Sequence, residues 1–141
     1  ALPLMGAYSC SKHGLEAVSE ALRRELMPFG IKVSVIGAGA VKTAIWDKAE
    51  QTDISKYRDT PYAAILENAR GHMVEGGRRG LPAEAVGRVT LEALTAPNPR
   101  VRYVLVPKYF QNWILPQLLP RSVLDRLIAK RLGLDTIASR R

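Results

Sequence analysis

Only two stretches of this chain have the composition of a β-strand, Ile31–Gly37 (IKVSVIG) and Arg100–Pro107 (RVRYVLVP), and each follows a segment with helical spacing. In the first, Ile31, Val33 and Val35 alternate with Lys32 and Ser34, as a half-buried strand requires. Strands entered from helices are the arms of α/β crossovers, and crossovers make parallel sheets. A parallel sheet is covered on both faces, so two strands do not make a self-sufficient one. The chain is therefore expected to need further strands, supplied upstream or by a partner chain.

Around these strands the pattern is helical. From Ser9 to Met27, Leu15, Val18, Leu22 and Leu26 recur at the period of a helix, with Glu16, Glu20, Arg23 and Arg24 elsewhere on the wheel. Pro28 and Gly30 should end it. The first strand runs into GAGAVKT (Gly37–Thr43), a loop of small residues, after which TAIWDKAE restarts as a short helix. Residues 51–80 are polar and rich in glycine, with a helix expected from Pro61 to Met73 ahead of EGGRRG, and read as a long, partly mobile excursion. LPAEAVGRVTLEALTAP (Leu81–Pro97) has the marks of a further helix, with Pro82 in its first turn and Pro97 beyond its end. Residues 108–141 form an apolar tail, interrupted by prolines and closing in a basic amphipathic helix. The layout is thus 1–50, 51–80, 81–107 and 108–141, with no internal repeat.

Composition narrows the class. Of 141 residues, 47% are hydrophobic and 24% charged, values of a globular chain with a core. The single cysteine, Cys10, excludes an intrachain disulfide, and a reducing cytoplasm is the expected compartment. There is no spanning apolar run and no signal-peptide pattern. A motif follows soon after Ala1, so the expectation is a piece whose upstream part is absent. The net charge is +8, and six basic residues against Asp125 and Asp135 put +4 of it in the tail from Arg121 onward. No zinc-finger spacing or RNA-binding aromatic motif accompanies that charge, so it reads as solvated surface, with no nucleic-acid partner.

The motif near the start is YSCSK, Tyr8 to Lys12. On a helix, positions i and i+4 lie one above the other, so both side chains can address one site. A free phenol is a poor base at neutral pH, but a cation held beside it favours the anion. The pair can therefore move a proton on or off an alcohol oxygen. The spacing alone is common by chance; its context is more telling. The pair opens an amphipathic helix, the helix leads through Pro-Gly into a strand, and the strand delivers a small-residue loop at its carboxyl end, where α/β sheets bind ligands.

YSCSKHGLEAVSEALRREL, GIKVSVI and GAVKT together resemble the C-terminal half of the short-chain dehydrogenase/reductase family, with looser likeness over LPAEAVGRVTLEAL and RVRYVLVP. The resemblance implies an α/β fold, the C-terminal portion of a doubly wound, three-layer αβα Rossmann-type domain with only about two of its strands in this chain. It implies an oxidoreductase that transfers a hydride between NAD or NADP and a hydroxyl or carbonyl group of a moderately apolar small molecule. Tyr8 would be the general acid/base, and Lys12 would assist its ionisation and hydrogen-bond the nicotinamide ribose. Ala38 and Gly39 lie where the family has Pro-Gly. Val41 would contact the carboxamide through its backbone, and Thr43 would bond the carboxamide or a phosphate. Ala38 in place of proline, preceded by Gly37, suggests a loop less rigid than usual. The glycine-rich phosphate loop, the catalytic serine and asparagine, and the residue that selects NAD or NADP would all precede Ala1. The resemblance also implies a homo-oligomer paired through helix 9–27.

Other residues have plainer readings. Cys10 sits near Lys12 in a first helical turn, a setting that can activate a thiol, yet a small packed side chain is expected. His13 and His72 have no metal-ligand grouping, so no metal is assigned. Ile45 and Trp46, with Tyr57, Tyr62 and Met73, fall in the stretch that the resemblance makes a substrate lid. Trp113, Ile114, Leu115, Leu118 and Leu119 form an apolar patch beside the basic helix. Such a patch covers a pocket or a subunit interface, or else touches an anionic membrane. The rival readings are a catalytically silent binding or interaction module and a basic membrane-surface protein.

Overall fold

Val35–Ala38 (β1) and Arg102–Leu105 (β2) pair in parallel, with Val35 opposite Arg102, Ile36 opposite Tyr103, Gly37 opposite Val104 and Ala38 opposite Leu105. The computed structural model describes residues 1–135; Arg140 and Arg141 of the basic tail lie outside them. Helices α1 (Gly6–Glu25), α2 (Ile45–Gln51), α3 (Ala63–Arg78), α4 (Ala83–Thr95), α5 (Leu115–Leu118) and α6 (Arg121–Leu132) complete the secondary structure, with short 3-10 turns at Met27–Phe29 and Ser55–Tyr57. Two strands in parallel, each preceded by a helix, fit a fragment of a Rossmann-type α/β fold. Among the described residues no helix is long and apolar enough to cross a membrane.

The chain divides into two compact units, one made of Ala1–Gly39 with Pro82–Leu105 and the other of Ala40–Leu81 with the residues from Val106 on. The first holds α1, the strand pair and α4. Tyr103 is its buried anchor, with its hydroxyl accepting the Arg100 amide N–H at 3.1 Å and the Arg100 guanidinium 5.7 Å above its ring. α1 contributes no buried residue; Leu15, Val18 and Leu22 are exposed, and Glu16 reaches Arg102 of β2, with Nη1 and Oε1 3.1 Å apart. In the second unit α2 packs on α3, which buries Ile65, Ala69, Val74 and Gly77.

Several boundaries differ from the expectation. α1 starts at Gly6, ahead of Ser9, because the Ser9 amide already bonds the Met5 carbonyl at 2.8 Å and the helical ladder runs from there. It ends at Glu25, short of the expected Met27; Pro28 lies in the following 3-10 turn, and Gly30 takes the left-handed conformation, φ 71°, that closes it. β1 begins at Val35 and not Ile31. Upstream of Val35, side chains replace the ladder: Lys32 Nζ donates to the Pro97 carbonyl at 2.5 Å and Ser34 Oγ to the Arg100 carbonyl at 2.7 Å. The strand then continues through Gly37 and Ala38, so the loop starts at Gly39, whose amide is itself held by the Leu105 carbonyl at 2.8 Å. α3 does not stop at Met73 but runs on through Gly76 and Gly77 to Arg78. In the tail, a π-helical turn over Phe110–Ile114 leads into α5, with Pro116 in the first turn of that helix and Pro120 just before α6.

Candidate active site

Tyr8 lies in the first turn of α1, and Lys12 stands one turn on with its Nζ 5.6 Å from the centre of the Tyr8 ring. Both side chains are exposed. Neighbouring polar groups are occupied locally: Ser11 Oγ donates to the Tyr8 carbonyl at 2.7 Å, and His13 Nδ1 lies 2.8 Å from the Ser9 carbonyl. Cys10 is exposed, not packed as expected, because α1 turns that side to solvent.

The other candidates follow β1. Ala38 and Gly39 belong with Tyr8 and Lys12 to the first unit; Val41, Thr43, Ile45 and Trp46 belong to the second. Val41 forms a parallel bridge with Leu81, in which the Leu81 amide donates to the Ala40 carbonyl at 2.9 Å and the Lys42 amide to the Leu81 carbonyl at 2.8 Å. Thr43 is exposed and leads into α2. Ile45 is 61% exposed, whereas Trp46 is half-buried, with its indole N–H donated to the Val41 carbonyl at 2.6 Å.

Sequence reasoning missed the partners of this turn. Gly77, Gly80 and Leu81 carry no chemistry of their own; the glycines entered the reading only as part of a glycine-rich excursion, and Leu81 only as the start of the following helix. It also missed a charged groove lined by Glu50, Glu67, Arg70, Val74, Glu75 and Arg78. Its arginines are paired, Arg70 with Glu67 at 2.5 Å and Arg78 with Glu50 at 2.6 Å. Glu50 and Asp47 hold the Arg78 guanidinium more firmly protonated than usual. Asp53 accepts the Ser55 amide at 2.8 Å, and that bond lowers its carboxyl below the ordinary range. Among the described residues no three His, Cys, Asp or Glu side chains gather as a metal site.

A family model described as short chain dehydrogenase matches residues 1–54, the span that holds Tyr8, Lys12, β1 and the turn after it. The chain is also 41% identical over 130 residues to an NADPH-dependent 3-dehydrocapnine reductase of Ornithobacterium rhinotracheale, covering 92% of this chain and 46% of that one. The chain belongs to the short-chain dehydrogenase/reductase family. Within that family it is 35% identical over 126 residues to the uncharacterized oxidoreductase YbbO of Escherichia coli K12, covering 89% of this chain and 42% of YbbO. It is 31% identical over 139 residues to the mouse 17-beta-hydroxysteroid dehydrogenase type 6, covering 88% of this chain and 42% of the mouse enzyme. The chain thus spans less than half the length of these short-chain dehydrogenase/reductase relatives.

Proposed function

We propose that the protein is a nicotinamide-dependent oxidoreductase in which Tyr8 moves the proton at a hydroxyl or carbonyl oxygen of a moderately apolar small molecule. The observation that carries this reading is the Tyr8–Lys12 pair, with an ammonium 5.6 Å from a phenol ring on the first turn of a helix. Bound NAD or NADP would accept the hydride from an alcohol carbon or, in its reduced form, donate it to a carbonyl carbon. The protein's share is to orient the two reactants and to give or take the proton. Lys12 stabilises the phenolate and bonds the nicotinamide ribose. Ala38 and Gly39 line the entry to the loop, Val41 meets the carboxamide through its backbone, and Thr43 bonds the carboxamide or a phosphate. Ile45 and Trp46 border the substrate.

The fit rests on residues present. The Tyr8 and Lys12 side chains are both accessible, and the turn after β1 is hydrogen-bonded to Leu81. Relatives named for an NADPH-dependent reductase and for a hydroxysteroid dehydrogenase support the cofactor class and an alcohol or ketone substrate. The exposed Leu15, Val18 and Leu22 of α1 support a homo-oligomer, and the single free cysteine a cytoplasmic setting.

Tyr8→Phe in the full-length protein tests the role of the phenol. Turnover with either cofactor should fall by about three orders of magnitude or more, within the range that general acid/base catalysis and proton positioning contribute together. The dissociation constant for NADH or NADPH should stay nearly constant. A Tyr8→Phe enzyme that keeps its turnover removes Tyr8 from the reaction.

A second reading concerns the tail alone. Phe110, Leu118 and Leu127 are exposed beside Arg121, Arg126 and Lys130, a combination suited to peripheral contact with an anionic bilayer. Salt-sensitive sedimentation with phosphatidylserine vesicles would support it, and no sedimentation at low salt would dismiss it.

A further inference from the structure

The turn after β1 is pinned from two directions, by Leu81 and by Trp46, whose ring is seated on Gly77. Leu81 donates its amide to the Ala40 carbonyl at 2.9 Å and accepts the Lys42 amide at 2.8 Å. Trp46 donates its indole N–H to the Val41 carbonyl at 2.6 Å. The Val41 carbonyl and the Lys42 amide are the two ends of one planar peptide group, so that plane is held at both ends. The preceding plane, Ala40 to Val41, is held at its carbonyl end. Three of the four polar groups of two successive peptide planes are therefore committed, and together they fix the direction of the fourth, the Val41 amide N–H.

Trp46 can make this bond only because of what lies beneath it. Its ring rests on Gly77 in the last turns of α3, where a Cβ would fall within the ring, against Cδ2, Cε2 and Cε3. Gly77 is buried, and its conformation is ordinary helix, so the requirement for glycine there comes from the indole and not from the backbone.

We infer that Trp46 is a positioning residue for the cofactor: it locks the Val41 peptide so that its N–H addresses the nicotinamide carboxamide, and Gly77 is the seat that admits its ring. The inference rests on the reading of Val41 as a cofactor contact. It assigns Trp46 to the nicotinamide end of the site through Val41, and it makes the end of α3 part of the cofactor-binding apparatus.

A mutant cycle in the full-length protein tests it. Trp46→Phe keeps an aromatic ring and removes the donor; the dissociation constant for NADH or NADPH should rise about tenfold, the loss of roughly one hydrogen bond's worth of positioning. Gly77→Ala should weaken cofactor binding similarly and lower Tm, although alanine ordinarily favours a helix over glycine. In a Trp46→Ala background, where the space is vacated, Gly77→Ala should leave cofactor binding unchanged and raise Tm. This reversal of sign is the signature of coupling through the indole. Equal effects of Gly77→Ala in both backgrounds, or wild-type cofactor affinity in Trp46→Phe, would overturn the inference while leaving the proposed reaction intact. A wild-type protein that binds neither NADH nor NADPH would refute the proposed reaction itself, and with it this inference.

Discussion

Asp53 shows how much a single side chain decides in the second unit. Its carboxylate accepts the Ser55 amide, and the bond stabilises the charged form, so its pKa is lowered. A depressed carboxyl contributes stability that is present above its unfolded value and is lost as pH falls through the folded one. Acidification below about pH 4 should therefore loosen the Ser55–Tyr57 turn, and Asp53→Asn should flatten that part of the pH profile. Amide exchange at Ser55, followed from pH 5 downward, checks both. At the same scale, Tyr8 and Lys12 were legible in the sequence because the i, i+4 rule needs nothing but a helix. Gly77 was not: its role is the absence of a side chain beneath a ring more than thirty positions earlier, a contact with no local signature. Trp46 was singled out only as part of the substrate lid that the resemblance implies, and its bond to the Val41 carbonyl depends on that same seat.

Among the elements, α1 was the clearest from sequence and is the least embedded in the structure. Its apolar stripe of Leu15, Val18 and Leu22 is exposed, while a charged residue, Glu16, makes its link to β2. The Glu16–Arg102 pair is more than a third exposed on both sides, so solvent screening keeps its worth small. A Glu16→Gln change should cost no more than about 1 kcal/mol in chemical denaturation, and less at high salt. A larger loss would mean that the pair, and not backbone propensity, keeps α1 in place. The strands teach the complementary lesson. Alternation marked Ile31–Gly37, but pairing is set by where the partner lies, and β2 offers a ladder only from Arg102. Lys32 and Ser34 satisfy the preceding segment by side-chain bonds instead. α3 outran its expected end for a related reason: glycine costs a helix only about 1 kcal/mol, and the packing of Gly77 offsets it.

For the molecule as a whole, the two-stranded sheet was predictable from the count of strand-like segments, and so was its membership of a larger α/β architecture. The chain spans less than half the length of its relatives. Fluorescence titration of this chain alone with NADH and NADPH should accordingly give weak or no binding. Tight binding would mean that residues after Ala1 suffice for recognition.

The excursion that makes up most of the second unit leaves Ala40 and returns at Leu81, and those two residues are hydrogen-bonded to one another. A segment closed at its neck can change in length at little cost, since doubling a flexible loop adds only about 0.6 kcal/mol. Changes within residues 47–76 can therefore be accommodated almost as a cassette. The points that such a change must keep are the neck, Trp46 and the glycine beneath its indole.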